Sequence, residues 1–224
     1  MSYGLQVIND SSYLQIDSDM PRLCVVHQGS YSGSSGFTVN FPQPVTSDEP
    51  PCIFIRPAMG ESNVLYRSMN ILGSPGAWTG FSVALSNITH TTSGTWFAAV
   101  FQATTAAMYG MRIWDSSGKA IYDTGSPAVS VSMAAHAWPY AGRVQLDIGY
   151  AYTYVCNLPK AIGPYDHFMI NPFSRYLNGS HQFVSTRMGV TVDYPGNRLV
   201  MYAVGSATWI DIGSHAAVFA RLRR

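Results

Sequence analysis

Apolar and polar positions along this chain alternate with a period of two. Residues 37–41 (FTVNF) and 144–148 (VQLDI) alternate strictly, the pattern of a strand with one face in a core and the other in water. Apolar runs at 52–55, 81–85, 95–101, 183–192, 199–204 and 216–222 read as further strands. Turn sequences at 73–76 (GSPG) and 194–197 (YPGN) separate them, because Gly supplies positive φ and Pro fixes its own. This spacing predicts an all-β chain of sandwich-like or partly open barrel units, with at most a turn or two of helix.

The pattern repeats. Sliding the chain by 106 residues lays 3–26 on 109–132 without a gap, matching Tyr3, Gly4, Ser11, Asp17, Pro21 and Val25 to Tyr109, Gly110, Ser117, Asp123, Pro127 and Val131. Each copy reads as a β-hairpin. Leu5 and Val7 flank Gln6, the turn formers 9–12 (NDSS) follow, and Leu14 and Ile16 flank Gln15. Loops of Asn, Asp, Ser and Gly suit hairpins because these residues tolerate the left-handed region. A second echo, 98–101 (AAVF) against 216–219, has an offset of 118. These offsets predict a first unit at 1–101, a linker at 102–108, and a second unit at 109–224 carrying a net insertion of about 12 residues.

Composition narrows the class. Charged residues make up 11% of the chain, with Lys119 and Lys160 the only lysines and Glu49 and Glu61 the only glutamates. That argues against amphipathic surface helices. The net charge of +1 comes with no basic stripe, so no nucleic-acid partner is expected. No apolar run approaches the ~20 residues of a membrane-spanning helix. Cys24, Cys52 and Cys156 lack zinc spacing and read as buried thiols. The opening residues lack a basic and apolar secretory leader, so synthesis and folding in a cytoplasm are expected.

The sequence carries no nucleophile elbow, phosphate loop or HExxH, and its six histidines are scattered. No catalytic residue, metal site or cofactor is expected, and Asp17 and Asp123 read as strand-end hydrogen-bond acceptors. Aromatic residues are the one enriched functional type. Trp138, Tyr140, Tyr150, Tyr152, Tyr154, Tyr165, Phe168 and Tyr176 form the candidate interface or ligand surface. The tyrosines of 150–154 (YAYTY) share one face of a strand. Core, subunit interface and glycan contact are the three readings open for this set.

The repeated phrase resembles a segment of tailed-bacteriophage tail proteins, of the form YGLxVxNxxGxxxFDS, found in tail-tip and fibre-associated subunits. Tyr3, Gly4, Leu5, Val7, Asn9, Asp17 and Ser18 carry it in the first copy, where Ser12 replaces Gly and Ile16 the aromatic. Tyr109, Gly110, Ile113, Asp115, Gly118, Tyr122, Asp123 and Thr124 carry it in the second. The resemblance implies a non-enzymatic virion subunit, made in the host cytoplasm and residing in the tail. Its implied partners are copies of itself, other phage tail proteins and, in a receptor-binding or lectin-like alternative, the host surface. Tail tips and fibres are commonly threefold, so a trimer is expected before a hexamer. The ten Met and eleven Arg, with few Lys and Glu, suit a chain that buries surface against neighbours.

Overall fold

The computed structural model describes residues 6–8, 10, 14–17, 21–60, 64–86, 91–103, 107–115, 117–118, 120–146, 149–174, 178–179, 187–204, 210–211 and 215–222. Strands β1 (Gln6–Ile8) and β2 (Leu14–Asp17) form a hairpin. Six longer strands follow: β3 (Leu23–Gly33), β4 (Gly36–Val45), β5 (Cys52–Pro57), β6 (Leu65–Ser74), β7 (Ala77–Ser86) and β8 (Thr92–Phe101). A second hairpin, β9 (Arg112–Trp114) and β10 (Ala120–Asp123), precedes β11 (Val129–Ala135), β12 (Tyr140–Leu146), β13 (Gly149–Asn157) and β14 (His167–Met169). A 3-10 turn at Asn171–Phe173 leads to β15 (Asn178–Gly179), β16 (Arg187–Asp193), β17 (Arg198–Val204), β18 (Ile210–Asp211) and β19 (Ala217–Leu222).

The all-β expectation holds: two main sheets pack as a sandwich that does not close into a barrel. One has six strands in the order β11-β19-β14-β5-β8-β3; the other has seven, β12-β13-β17-β16-β6-β7-β4. At 73–76 the chain turns between β6 and β7 with Gly73 at φ 105° and Gly76 at φ 80°. A side chain on Gly73 would strike the Ala77 carbonyl, so Gly is required there.

Both sequence units contribute to both sheets. The first supplies β3, β5 and β8 to one sheet and β4, β6 and β7 to the other; the second supplies the remainder. They join edge to edge, through β5 against β14 and β6 against β16. Asn171 staples the first seam, accepting from the Ile53 amide at 2.6 Å and donating to the Pro51 carbonyl at 3.1 Å. One core fills the sandwich across both units, with Phe81, Trp96 and Tyr66 from the first and Phe168, Phe173 and Met201 from the second.

Register shows how deep the duplication goes. In the first hairpin Gln6, Val7 and Ile8 pair with Asp17, Ile16 and Leu14. In the second, Arg112, Ile113 and Trp114 pair with Asp123, Tyr122 and Ala120, each partner displaced by 106 residues. The irregularity also repeats, skipping Gln15 in one copy and Ile121 in the other. So does the bulge between Val25 and His27, which recurs between Val131 and Met133.

The closing strands correct the sequence alignment. Val25 pairs with Ala99 and Val131 with Ala220, an offset of 121, so the net insertion is 15 residues and not about 12. The AAVF echo is therefore three residues out of register. An odd slip exchanges the faces of a strand: Ala99 lies outside the sandwich core, whereas Ala217, its partner in the echo, lies within it. The insertion has a structural identity. β4 pairs with β7 as β13 pairs with β17, which leaves β12 as the strand without a counterpart.

The six-stranded sheet carries a second apolar cluster on its other face. Phe54 and Phe97 stack with centroids 4.6 Å apart among Val25, Ala99 and Ala220. Its two edge strands touch near their starts, through the Cys24–Ala128 bridge and the Val25 amide donating to the Pro127 carbonyl at 2.9 Å.

Candidate functional site

The added strand β12 builds the site. Five of its seven residues are exposed, and they fall on both faces. With seven strands against six, the sheet is one strand wider than its partner. On β13 the alternation of residues 150–154 sets three tyrosines on one face. Tyr152 and Tyr154 reach the margin of the sandwich core, whereas Tyr150 is 54% exposed.

A cation sits among these rings. Arg143 on β12 pairs in register with Tyr152, and its guanidinium lies 4.1 Å from the Tyr150 centroid and 5.6 Å from that of Tyr152. Tyr140, 58% exposed, continues the row at 6.3 Å from Tyr152 and 5.7 Å from Tyr154. The face thus reads Tyr150, Arg143, Tyr152, Tyr140, Tyr154. Burial, then the neighbouring Tyr140 and Tyr152 phenols, pushes the Tyr154 pKa above the usual tyrosine value. Arg112, Arg198 and Arg221 each hold a carboxylate. The Arg143 side chain has neither an ion pair nor a hydrogen bond among the described residues. Sequence reasoning did not single it out.

The other sequence candidates part company. Trp138 is 8% exposed in the core, its indole N–H donating to the His215 carbonyl at 2.8 Å beside Phe173. Phe168 is buried against Phe173 and Phe219. For these two the structure takes the core reading among the three open for the set. Tyr176 lies outside the described residues.

Tyr165 is exposed, but in a different place. It lines a groove of about 1120 Å³ on the six-stranded sheet, with Arg56, Thr95, Trp96, His167 and Arg221. The arginines and the histidine there already have partners. Arg56 donates to the Pro164 carbonyl at 2.8 Å and to the Tyr194 hydroxyl at 3.1 Å. His167 bridges Thr95 and the Tyr165 carbonyl, each at 2.9 Å. Asp166, its side chain fully buried, takes Arg221 Nε at 2.5 Å and the Gly163 amide at 2.6 Å. Desolvation opposes its charge, but the Arg221 and Gly163 bonds outweigh it and bring its pKa to about 2. Burial lowers His167 as well, below the usual histidine value.

A second exposed apolar surface lies on the second hairpin. Met108 and Tyr109 are 89% and 88% exposed, and Trp114 is 54% exposed with Arg112 over its ring. Sequence reasoning placed Met108 in the linker and Tyr109 in the repeated phrase and did not single out Trp114, although their size was the available signal. Among the described residues no three His, Cys, Asp or Glu side chains are grouped to hold a metal ion. Among the described residues no helix is long and apolar enough to cross a membrane. The chain matches no known family, curated protein or solved structure.

Proposed function

We propose that this chain is a non-enzymatic structural subunit of a tailed-bacteriophage virion, tail-tip or fibre-associated, assembling with copies of itself and with neighbouring tail proteins. The observation that carries the reading is the duplicated hairpin, whose phrase resembles the opening of phage tail domains and whose second copy projects exposed Tyr109 and Trp114, with exposed Met108 just before it. A two-stranded hairpin is marginally stable alone, and large apolar side chains at such exposure call for a partner surface. A threefold oligomer is the preferred assembly, with a sixfold one next. The subunit is made in the host cytoplasm and ends in the tail. The test is a paired substitution, Tyr109→Arg with Trp114→Arg: the oligomer dissociates while the circular dichroism of the sandwich is retained. An oligomer unmoved by both changes argues against this hairpin as the contact.

The receptor-binding or lectin-like alternative has its own support, in Arg143 held between Tyr150 and Tyr152 on the strand that the first unit lacks.

A further inference from the structure

We propose that the face formed by Tyr150, Arg143, Tyr152 and Tyr140 binds the carboxylate-bearing sugars of an acidic polysaccharide. The proposal rests on the receptor-binding reading and gives it a ligand class.

Charge complementarity carries the argument. Stacking on aromatic rings holds a guanidinium through its π face and leaves its N–H donors unspent. Arg143 is held in this way at 4.1 Å from Tyr150, and it is exposed. Among the described residues no carboxylate meets it, so the face offers a cation to an anionic ligand. A carboxylate matches the planar fork, accepting two parallel N–H bonds. The flanking rings supply what a sugar needs beside that charge: apolar faces for its C–H surface and phenol hydroxyls for its own.

Shape points the same way. The exposed rings, Tyr140 and Tyr150, lie on an open sheet face at the margin of the core and not in a cavity, so they fit a chain lying across the surface better than a small enclosed molecule. Alternate residues of β13 step by about 7 Å, which lets the tyrosine row contact more than one unit of a polymer. A nucleic acid or an anionic membrane would call for several cations, and the described residues of this face supply one. A shallow site of this kind binds weakly alone and gains from repetition in an oligomer.

The test uses the full-length protein and isothermal titration with hyaluronan and oligogalacturonate fragments, with neutral dextran fragments as the control. The expected result is binding of an acidic fragment and not of dextran. Arg143→Gln then weakens that binding by at least about tenfold, and Tyr150→Ala weakens it too, with circular dichroism unchanged. Saccharide binding that ignores charge, or that Arg143→Gln leaves intact, overturns the acidic-sugar site while the lectin-like reading stands. Failure of every saccharide to bind overturns both. Dissociation of the oligomer by Arg143→Gln makes the face a contact between copies and also overturns the proposal.

Discussion

Arg112 and Asp123 are register partners across the second hairpin, and the Arg112 Nε lies 2.6 Å from the Asp123 carboxylate. The same carboxylate accepts from the Gly125 amide at 2.7 Å and from the Ala107 amide at 3.1 Å, so one buried group fastens both strands and the segment leading into them. Desolvation disfavours its charge, but the Gly125, Arg112 and Ala107 bonds prevail and lower its pKa. Because the folded value lies below the unfolded one, this support is present above the unfolded aspartate pKa and is lost as pH falls through the folded value. Asp123→Ala should abolish amide-exchange protection at Ala107 and Gly125 at neutral pH. Unchanged protection would contradict the role given to this carboxylate.

Asp166 offers a second acid-sensitive fastening, between the loop before β14 and β19. Its carboxyl should titrate near pH 2 by NMR, since its pKa is about 2. Its contribution to stability is whole above the unfolded aspartate value and fades as pH falls towards 2. Arg221→Gln should raise the titration midpoint towards the ordinary aspartate range, and a midpoint that does not move would show that the ion pair is not the cause.

His167 acts at higher pH. Burial, helped by the Arg56 charge and opposed by the Tyr165 carbonyl, lowers its pKa. The unfolded chain therefore takes the proton first, and stability should fall as pH drops below about 6.5, the ordinary histidine value. His167→Gln should flatten the denaturation midpoint over that range. An equal slope in both proteins would contradict the assignment.

Phe97 anchors the cluster outside the sandwich, fully buried against Phe54 and His167. Phe97→Ala should cost about 3–5 kcal/mol in urea denaturation. Tyr140→Ala, on the uncovered face, should stay within about 0.5 kcal/mol. Similar costs for the two would mean that Tyr140 is also buried, by a neighbouring copy.

Much of this was legible in the chain because it is local. The hairpins follow from turn residues and alternation, and their registers match residue for residue. The tyrosine face of β13 follows from period two alone. What was not legible depends on distant partners. β14 is three residues long and holds its place by pairing with β5 and β19, a seam that no local pattern announces. Trp138 and Phe168 are near the surface tyrosines in sequence, but the sandwich takes them inside. The AAVF echo failed because identical letters, three residues out of register, fall on opposite faces.

The proposed role, an assembled virion subunit, requires a defined oligomer. Size-exclusion chromatography with light scattering on the purified protein tests it most directly. The account predicts a mass near three times 24.4 kDa, with six times the next expectation. A clean monomer, unchanged by salt and concentration, would contradict it.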